Sequence, residues 1–595
     1  MTQPPIGDYA LIGDTRTAAL CSPGGSIDWL CLPRFDSPPV FGRLIDQERG
    51  GWFSITPEEV HRTTRRYLED SAVLETTWHT GTGELLLQEG MVLELSKALL
   101  PQALLVRKAR CLWGSATLRI CYTPRRGLPG RQPVVQHRPG VLICKWGSLA
   151  IGLHSDPHVE LVPGRETQVV LEAGSTLTFA LTLADRSPLV FVDPGAAARR
   201  LDASDEWWRR WCEDIQFPGP FREALSRSFV TLRLLTYSPS GAPVAAPTTS
   251  LPETLGGRRN WDYRFSWPRD ASIGLATFLQ VGKDEEAHSF MHWLLHASRL
   301  SRPRLEVLYT LDGKPSHAER ELRDVSGYRG SLPVRVGNAA SEQHQLDVYG
   351  WVVDTAYLLD QAGRRLHRET WRVVSGLADF VADHWRRPDA GIWEVRGETA
   401  HYVHSKMMGW VALDRASRMA RSYRVRPSRL RRWEREREAL GRQVGHQGFD
   451  PQRNSYVRAY GGEDLDAALL LLPVLEFEEP GSPRVSGTVE AIRRELDFGD
   501  GLLYRYPPQS DGLEGKEGAF LACSFWLAQA LARLGRIAEA MELFEKLWEL
   551  SNDVGLFAEE MDSSGRHLGN FPQALTHAAL IQAALAISRA RSRRA

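Results

Sequence analysis

Past Phe217 the chain takes up a helical hydrophobic period and keeps it. Twelve candidate helices start near residues 221, 269, 283, 343, 367, 403, 426, 463, 481, 516, 536 and 572, and the connections between them alternate in length. Those after the even-numbered helices are mostly short, such as G-K-D-E near 282 and L-G-R-I near 534. Those after the odd-numbered helices are long and hold 239–268, 302–342, 387–402, 444–462, 496–515 and 550–571. If the helix pairs close into a ring, all six long loops fall at one end. A rigid ring presenting its loops on one face is a scaffold for a site.

The text before Phe217 is different. Met1 to about Phe53 is dense in Gly, Pro and Asp, which predicts turns and short strands. From Gly51 to about Asp185, strand-like runs such as V-L-E-T-T-W, A-T-L-R-I-C-Y and L-T-F-A-L-T-L recur with turn residues between them. With no helical pattern intervening, an antiparallel β-sandwich is expected. Asp205 to Ile215 reads as a linking helix. The expected division is a β-sandwich domain over 1–200, a linker helix over 201–217 and a helical catalytic domain over 218–595.

Lys plus Arg and Asp plus Glu both number 73, so nothing advertises nucleic acid or an anionic membrane as partner. The N-terminus has no basic region followed by an apolar run, and no stretch is long enough to span a bilayer, so a cytoplasmic location is expected. The seven cysteines lack C-x-x-C spacing and read as reduced, mostly buried thiols.

Within the first long loop, Asn260 to Asp270 (N-W-D-Y-R-F-S-W-P-R-D) alternates with period two. Trp261, Tyr263, Phe265 and Trp267 fall on one side, Asp262, Arg264 and Ser266 on the other; a half-buried strand is the plain alternative. Arg269 and Asp270 follow where a loop turns into a helix. Aromatic walls beside a buried Arg and Asp suit a hydroxyl-rich ring, apolar on its faces and polar at its rim. In the third loop, Glu394 is flanked by Trp393 and Arg396, and an acid beside a large ring can hold its proton to higher pH. A surface Glu–Arg pair is the competing reading. In the sixth loop, Glu559, Glu560 and Asp562 crowd together, a pattern that is usually just solvated. Tyr504-Arg505-Tyr506 in the fifth loop offers a guanidinium between rings, for stacking on sugar or for packing. Segments 338–347 and 401–406 open the fourth and sixth helices; the two histidines of the second lack the spacing of a closed metal site. No G-x-S-x-G, P-loop or dinucleotide fingerprint occurs, which removes the usual support for serine hydrolysis, nucleotide use and hydride transfer.

Eight ordered motifs, among them I-G-D-Y-A-L-I-G-D, G-S-I-D-W-L-C-L-P-R-F-D-S-P, R-N-W-D-Y-R-F-S-W-P-R-D, G-I-W-E-V-R-G and G-N-F-P-Q-A-L-T-H, resemble bacterial glycoside hydrolase family 15 nearly end to end. That family holds glucoamylases, glucodextranases and trehalases. The resemblance implies an N-terminal antiparallel β-sandwich followed by an (α/α)6 barrel, with Glu394 as general acid and Glu559 as general base. Glu560 is the nearest competitor for the second role. It also implies that Arg269 and Asp270 bind the non-reducing glucose, that Arg505 binds substrate, and that Trp267 and Trp393 wall the pocket with Tyr263. Trp351, Pro268 and Gly409 depart from the family's usual Glu, Leu and Cys.

The activity so implied is inverting, exo-acting hydrolysis of a small α-glucoside. α,α-Trehalose is favoured, because the opening motif and the P-R-F-D-S-P loop are shared with trehalase-like members; maltooligosaccharides or isomaltose are the alternative, and an inactive sugar-binding barrel is the non-enzymatic one. The barrel is read as running almost to residue 595, leaving no separate starch-binding module. The chemistry needs no cofactor, although some similar trehalases depend on phosphate and Mg²⁺. No metal ligand is assigned, and a homo-oligomer remains open.

Overall fold

The computed structural model describes residues 3–593 except 94–100, 218, 316–317, 509, 511–514 and 516. Fourteen strands, every pairing antiparallel, make the N-terminal layer pair. One strand, Ala103–Thr123, belongs to both sheets. Its first half pairs with Thr176–Asp185 and Gly83–Met91, its second half with Trp52–Pro57 and Glu166–Glu172. Gly114, at φ 70°, lies between the halves, and a Cβ there would meet Thr82 O at 2.1 Å. A residue with a side chain could not turn this corner. Inward-facing Phe53, Ile55, Leu118, Ile120, Phe179 and Leu181 are buried between the sheets.

Helix α1 spans Pro194–Glu213 and starts earlier than the expected 205. Asp193 accepts a hydrogen bond from the amide of Ala196 and Pro194 occupies the first turn, a start signal sharper than the acidic run downstream.

Eleven α-helices follow: α2 (Arg222–Leu234), α3 (Pro268–Gln280), α4 (Asp284–Ala297), α5 (Asp347–Gln361), α6 (Arg368–His384), α7 (Val403–Ala420), α8 (Pro427–Gln447), α9 (Pro483–Glu495), α10 (Leu521–Arg533), α11 (Ile537–Glu549) and α12 (Ala574–Ser592). The position expected to hold a helix from near 463 is a 3-10 turn, Ala467–Leu471. Pro473 stops it from lengthening. α3 packs on α5, α5 on α7, α7 on the 3-10 turn, that turn on α10, α10 on α12, and α12 back on α3. These six form a closed inner ring, with α2, α4, α6, α8, α9 and α11 outside it. Position in the ring explains composition. Every residue from Leu521 to Ala532 in α10 is buried, whereas α11 buries only Ala540, Phe544 and Leu547. Two starts differ from the periodicity. Asn338 caps a separate 3-10 turn, Ala339–Glu342, so α5 begins at Asp347 rather than near 343. The start expected near 516 lies outside the described residues, and α10 begins at Leu521.

The sandwich braces the loop end of the ring. Trp29, fully buried, donates to Pro247 O at 2.8 Å in the first long loop. Tyr328 of the second loop donates to Pro4 O at 2.7 Å, and Asn552 of the sixth donates to Gly7 O and Tyr9 O. Replacing Trp29 by Ala removes both a buried ring and that brace, and should cost about 3–5 kcal/mol, by the scale of aromatic truncation in cores. A Tm unchanged from wild type would contradict this docking.

Candidate active site

A cavity of about 860 Å³ opens at the loop end of the ring. It is lined from the first, second, third, fifth and sixth long loops, and Glu394, Glu559, Arg269, Asp270, Trp267, Trp393, Arg505 and Tyr263 all face it.

Of the stretch Asn260–Asp270 only Asn260–Asp262 is regular strand. Residues 263–267 are held irregularly, before α3 begins at Pro268: Ala245 and Ala246 amides donate to Phe265 O and Tyr263 O, and Ser266 bridges Tyr309. The alternation survives that irregularity. Trp261, Tyr263 and Trp267 reach the cavity, while Asp262 and Arg264 form a buried bidentate pair at 2.7 and 2.8 Å. Phe265 packs behind the wall with Val307 and Leu308.

Glu394 sits at φ 57°, a strained setting for a side-chain-bearing residue, at the tip of the third loop. Gln343 Nε2 donates to Glu394 O and Val395 O, which fixes that backbone. Its Oε1 accepts from Trp267 Nε1 at 2.8 Å and from Arg269 NH1 at 3.2 Å. The flanking Trp393 and Arg396 are not the carboxyl's partners: Trp393 Nε1 donates to Asp466 at 2.8 Å, and Arg396 forks onto Glu319 at 3.0 and 2.6 Å. Neighbours in sequence point apart here because the loop is too tightly curved to be a strand. Burial pushes the Glu394 carboxyl above its ordinary range, with Arg269 opposing and Asp270 adding to the rise. Arg269 also donates to Asp270 Oδ1 at 2.9 Å and to Ile392 O at 2.7 Å, tying the start of α3 to the third loop.

Glu559 and Glu560 lie at the start of a short strand, Glu560–Met561, between Ala519–Phe520 and His567–Leu568. Consecutive residues of extended chain face opposite ways. Glu559 lines the cavity; Glu560 does not. Tyr263 donates to Glu559 Oε1 at 2.6 Å, and Oε2 has no hydrogen-bond partner among the described residues. Burial, then the charge of Glu253, pushes the Glu559 carboxyl upward, while the Tyr263 hydrogen bond favours its ionised form.

Sequence reasoning missed Glu253, Arg259 and Glu517. Arg505 NH2 bonds Glu517 at 2.7 Å and Glu253 at 3.0 Å, so this arginine is shared between cavity and buried carboxylates. Only the meeting of the first and fifth loops creates the cluster, and no local spacing announces it. Nor did sequence show where the two histidines go. His401 stacks on Tyr460, and His404 is buried near Trp351, its ring kept neutral with a pKa of about 3 by burial and Arg269.

One half-buried and one buried carboxyl facing one aromatic-walled chamber, each with its own hydrogen-bonding surroundings, meet the needs of acid–base cleavage of a glycosidic bond, and the protein is a glycoside hydrolase. Residues 219–585 match "Glycosyl hydrolases family 15" and residues 1–192 match "Trehalase-like, N-terminal". The chain belongs to glycosyl hydrolase family 15. It is 38% identical to the trehalase of Mycobacterium tuberculosis over 99% of this chain and 90% of that one. It is 33% identical to the trehalase of Thermoplasma acidophilum over 95% and 97%. In structure it is similar to a bacterial glucoamylase complexed with acarbose, with a TM-score of 0.71, 14% identity and coverage of 99% and 94%, which supports the (α/α)6 fold.

Gly569, at φ 76°, lies against Glu559, and a Cβ there would meet Oε2 at 2.6 Å. Gly569→Ala should displace the carboxyl and lower kcat/KM about 100-fold or more, the scale of a misplacement near 1 Å. Wild-type kinetics in a folded variant would dismiss Oε2 as a working atom.

Proposed function

We propose that the protein hydrolyses α,α-trehalose to two glucose molecules with inversion at the attacked carbon. Trp267, Trp393 and Tyr263 wall the first sugar, Arg269 and Asp270 grip its hydroxyls, and Arg505 supports the bound substrate. Glu394 gives its proton to the bridging oxygen as the C1–O bond breaks. Glu559 takes a proton from the water whose oxygen bonds to C1 from the opposite face. Each step keeps charge balanced: one carboxyl loses a proton as the other gains one. The observation that carries this reading is the pairing of Glu394 with Trp267 and Arg269, and of Glu559 with Tyr263, across one cavity. The name "Trehalase" carried by relatives matched over nearly their whole length supports trehalose as the substrate. At the rim, Arg396 lies 4.1 Å from the Trp261 ring and is held by Glu319. A cytoplasmic setting fits the same reading, since all seven cysteines are free thiols. Catalysis needs only protein groups in this scheme.

Proton NMR of early product decides the stereochemistry. Inversion of trehalose gives β- and α-glucose in equal initial amounts, because the leaving half keeps its own configuration; α-glucose alone would mean retention. Glu394→Gln and Glu559→Gln should each lower kcat by orders of magnitude. Values of kcat/KM for trehalose, maltose, isomaltose and maltotetraose rank the substrates, and turnover of maltotetraose with none of trehalose would discard trehalose while keeping the two carboxyls.

Tyr263→Phe removes a hydrogen bond that favours ionised Glu559, so the base's pKa rises. Activity requires that base unprotonated. The acidic limb of kcat/KM against pH should therefore move to higher pH, with a larger loss at pH 6 than at pH 8. Movement of the limb to lower pH would refute the contact.

A further inference from the structure

At the cavity floor four carboxyls and two guanidiniums meet, Glu517 and Glu560 behind the lining and the other four in it. Glu253 and Arg259 come from the first long loop, Arg505 and Glu517 from the fifth, Glu559 and Glu560 from the sixth, and all are nearly or fully buried. Around them stand Trp261, Tyr263, Tyr506 and, on α10, the thiol of Cys523, which burial keeps protonated. Among the described residues the cluster is two charges short of neutral if every carboxyl ionises. An uncompensated buried charge is costly enough that at least one of the carboxyls keeps its proton.

The hydrogen bonds show which group. Glu517 accepts from Arg505, Arg259 and the Tyr506 hydroxyl. Glu253 accepts from Arg505 at 3.0 Å and Trp261 Nε1 at 2.7 Å. Glu559 lines the cavity and accepts from Tyr263, while its other oxygen lies buried beside Gly569 without a hydrogen-bond partner among the described residues. Glu560, fully buried, accepts one backbone bond, from Gly518 N at 2.9 Å. Its Oε1 has no hydrogen-bond partner among the described residues and stands 3.7 Å from Arg505, a guanidinium already committed to Glu517 and Glu253. Of the four, Glu560 alone accepts no hydrogen bond from a side chain among the described residues.

We infer that Glu560 carries a proton and stays neutral through the working pH range, and that its neutrality leaves Glu559 free to ionise as the base. This rests on the reading of Glu559 as base and makes Glu560 a positioning residue that acts through its neighbour. Burial pushes both carboxyls up, Glu560 well up, with the charge of Glu253 adding to each.

Glu560→Gln tests it. Gln keeps an acceptor for Gly518 and has no proton to lose. In the wild type the unfolded chain ionises Glu560 near its ordinary value, about 4.3, while the folded chain does not. Stability therefore falls as pH rises above that value, until the folded group itself ionises. The variant lacks this term. Its Tm should exceed wild type's by a gap that widens steadily from pH 5 to pH 8, and the acidic limb of its kcat/KM profile should stay within about half a pH unit of wild type, since one neutral group replaces another. A gap that is constant or shrinks as pH rises would overturn the inference. So would an acidic limb displaced by a full unit to lower pH, which is the mark of a negative charge removed from beside Glu559. The thermal measurement needs no substrate, so a failure to hydrolyse trehalose would count against the proposed function and leave this result readable.

Discussion

Taking carboxyls out of water governs the working end of this molecule. Ionised carboxylates are costly to bury alone, so each either holds its proton or finds a guanidinium, a hydroxyl or an indole N–H. Glu394 has Trp267 and Arg269; Glu559 has Tyr263; Glu253 and Glu517 share Arg505. The chemical difference between the proposed acid and the proposed base grows out of this distribution of partners. One carboxyl faces a cation and an indole, the other a phenol and a further carboxylate.

The scaffold makes such burial affordable in structural terms. Six inner helices close on themselves, and the loops joining each inner helix to its outer partner alternate ends. Residues more than 300 positions apart, such as Tyr263 and Asn570, are then held within one hydrogen-bonded frame, with Asn570 donating to Trp261 O at 2.9 Å. The sandwich adds a second support from below the loops through Trp29. A cavity built from five loops needs this bracing, because loops without it open locally at little cost.

Tight backbone geometry marks the same places. Glu394 lies in the left-handed region, and Gly569 packs against Glu559 with no room for a methyl group. Both catalytic candidates therefore sit where the chain has little freedom to place the carboxyl elsewhere. Pre-set geometry of this kind lowers the reorganisation needed during a proton transfer.

Much of the fold was legible in the sequence, since a change from period two to period 3.6 reports which faces of a chain are buried. The alternating loop lengths foretold the ring, and the aromatic alternation of Trp261, Tyr263 and Trp267 foretold the wall. Both are local patterns, and local sterics set them. Boundaries were less legible: Pro473 reduced one expected helix to a 3-10 turn, and the Asp193–Pro194 start of α1 outweighed the acidic run at 205. The partners of Glu394 were not readable at all. Trp393 and Arg396 are adjacent to it and turn elsewhere, whereas Trp267 and Arg269 come from another loop. The sequence alone determined the architecture, because hydrophobic period follows from residue type and spacing, and its family resemblance nominated the carboxyls. Only the tertiary structure decided which carboxyl meets which donor, because electrostatic environment is fixed by distance through space and not by separation along the chain.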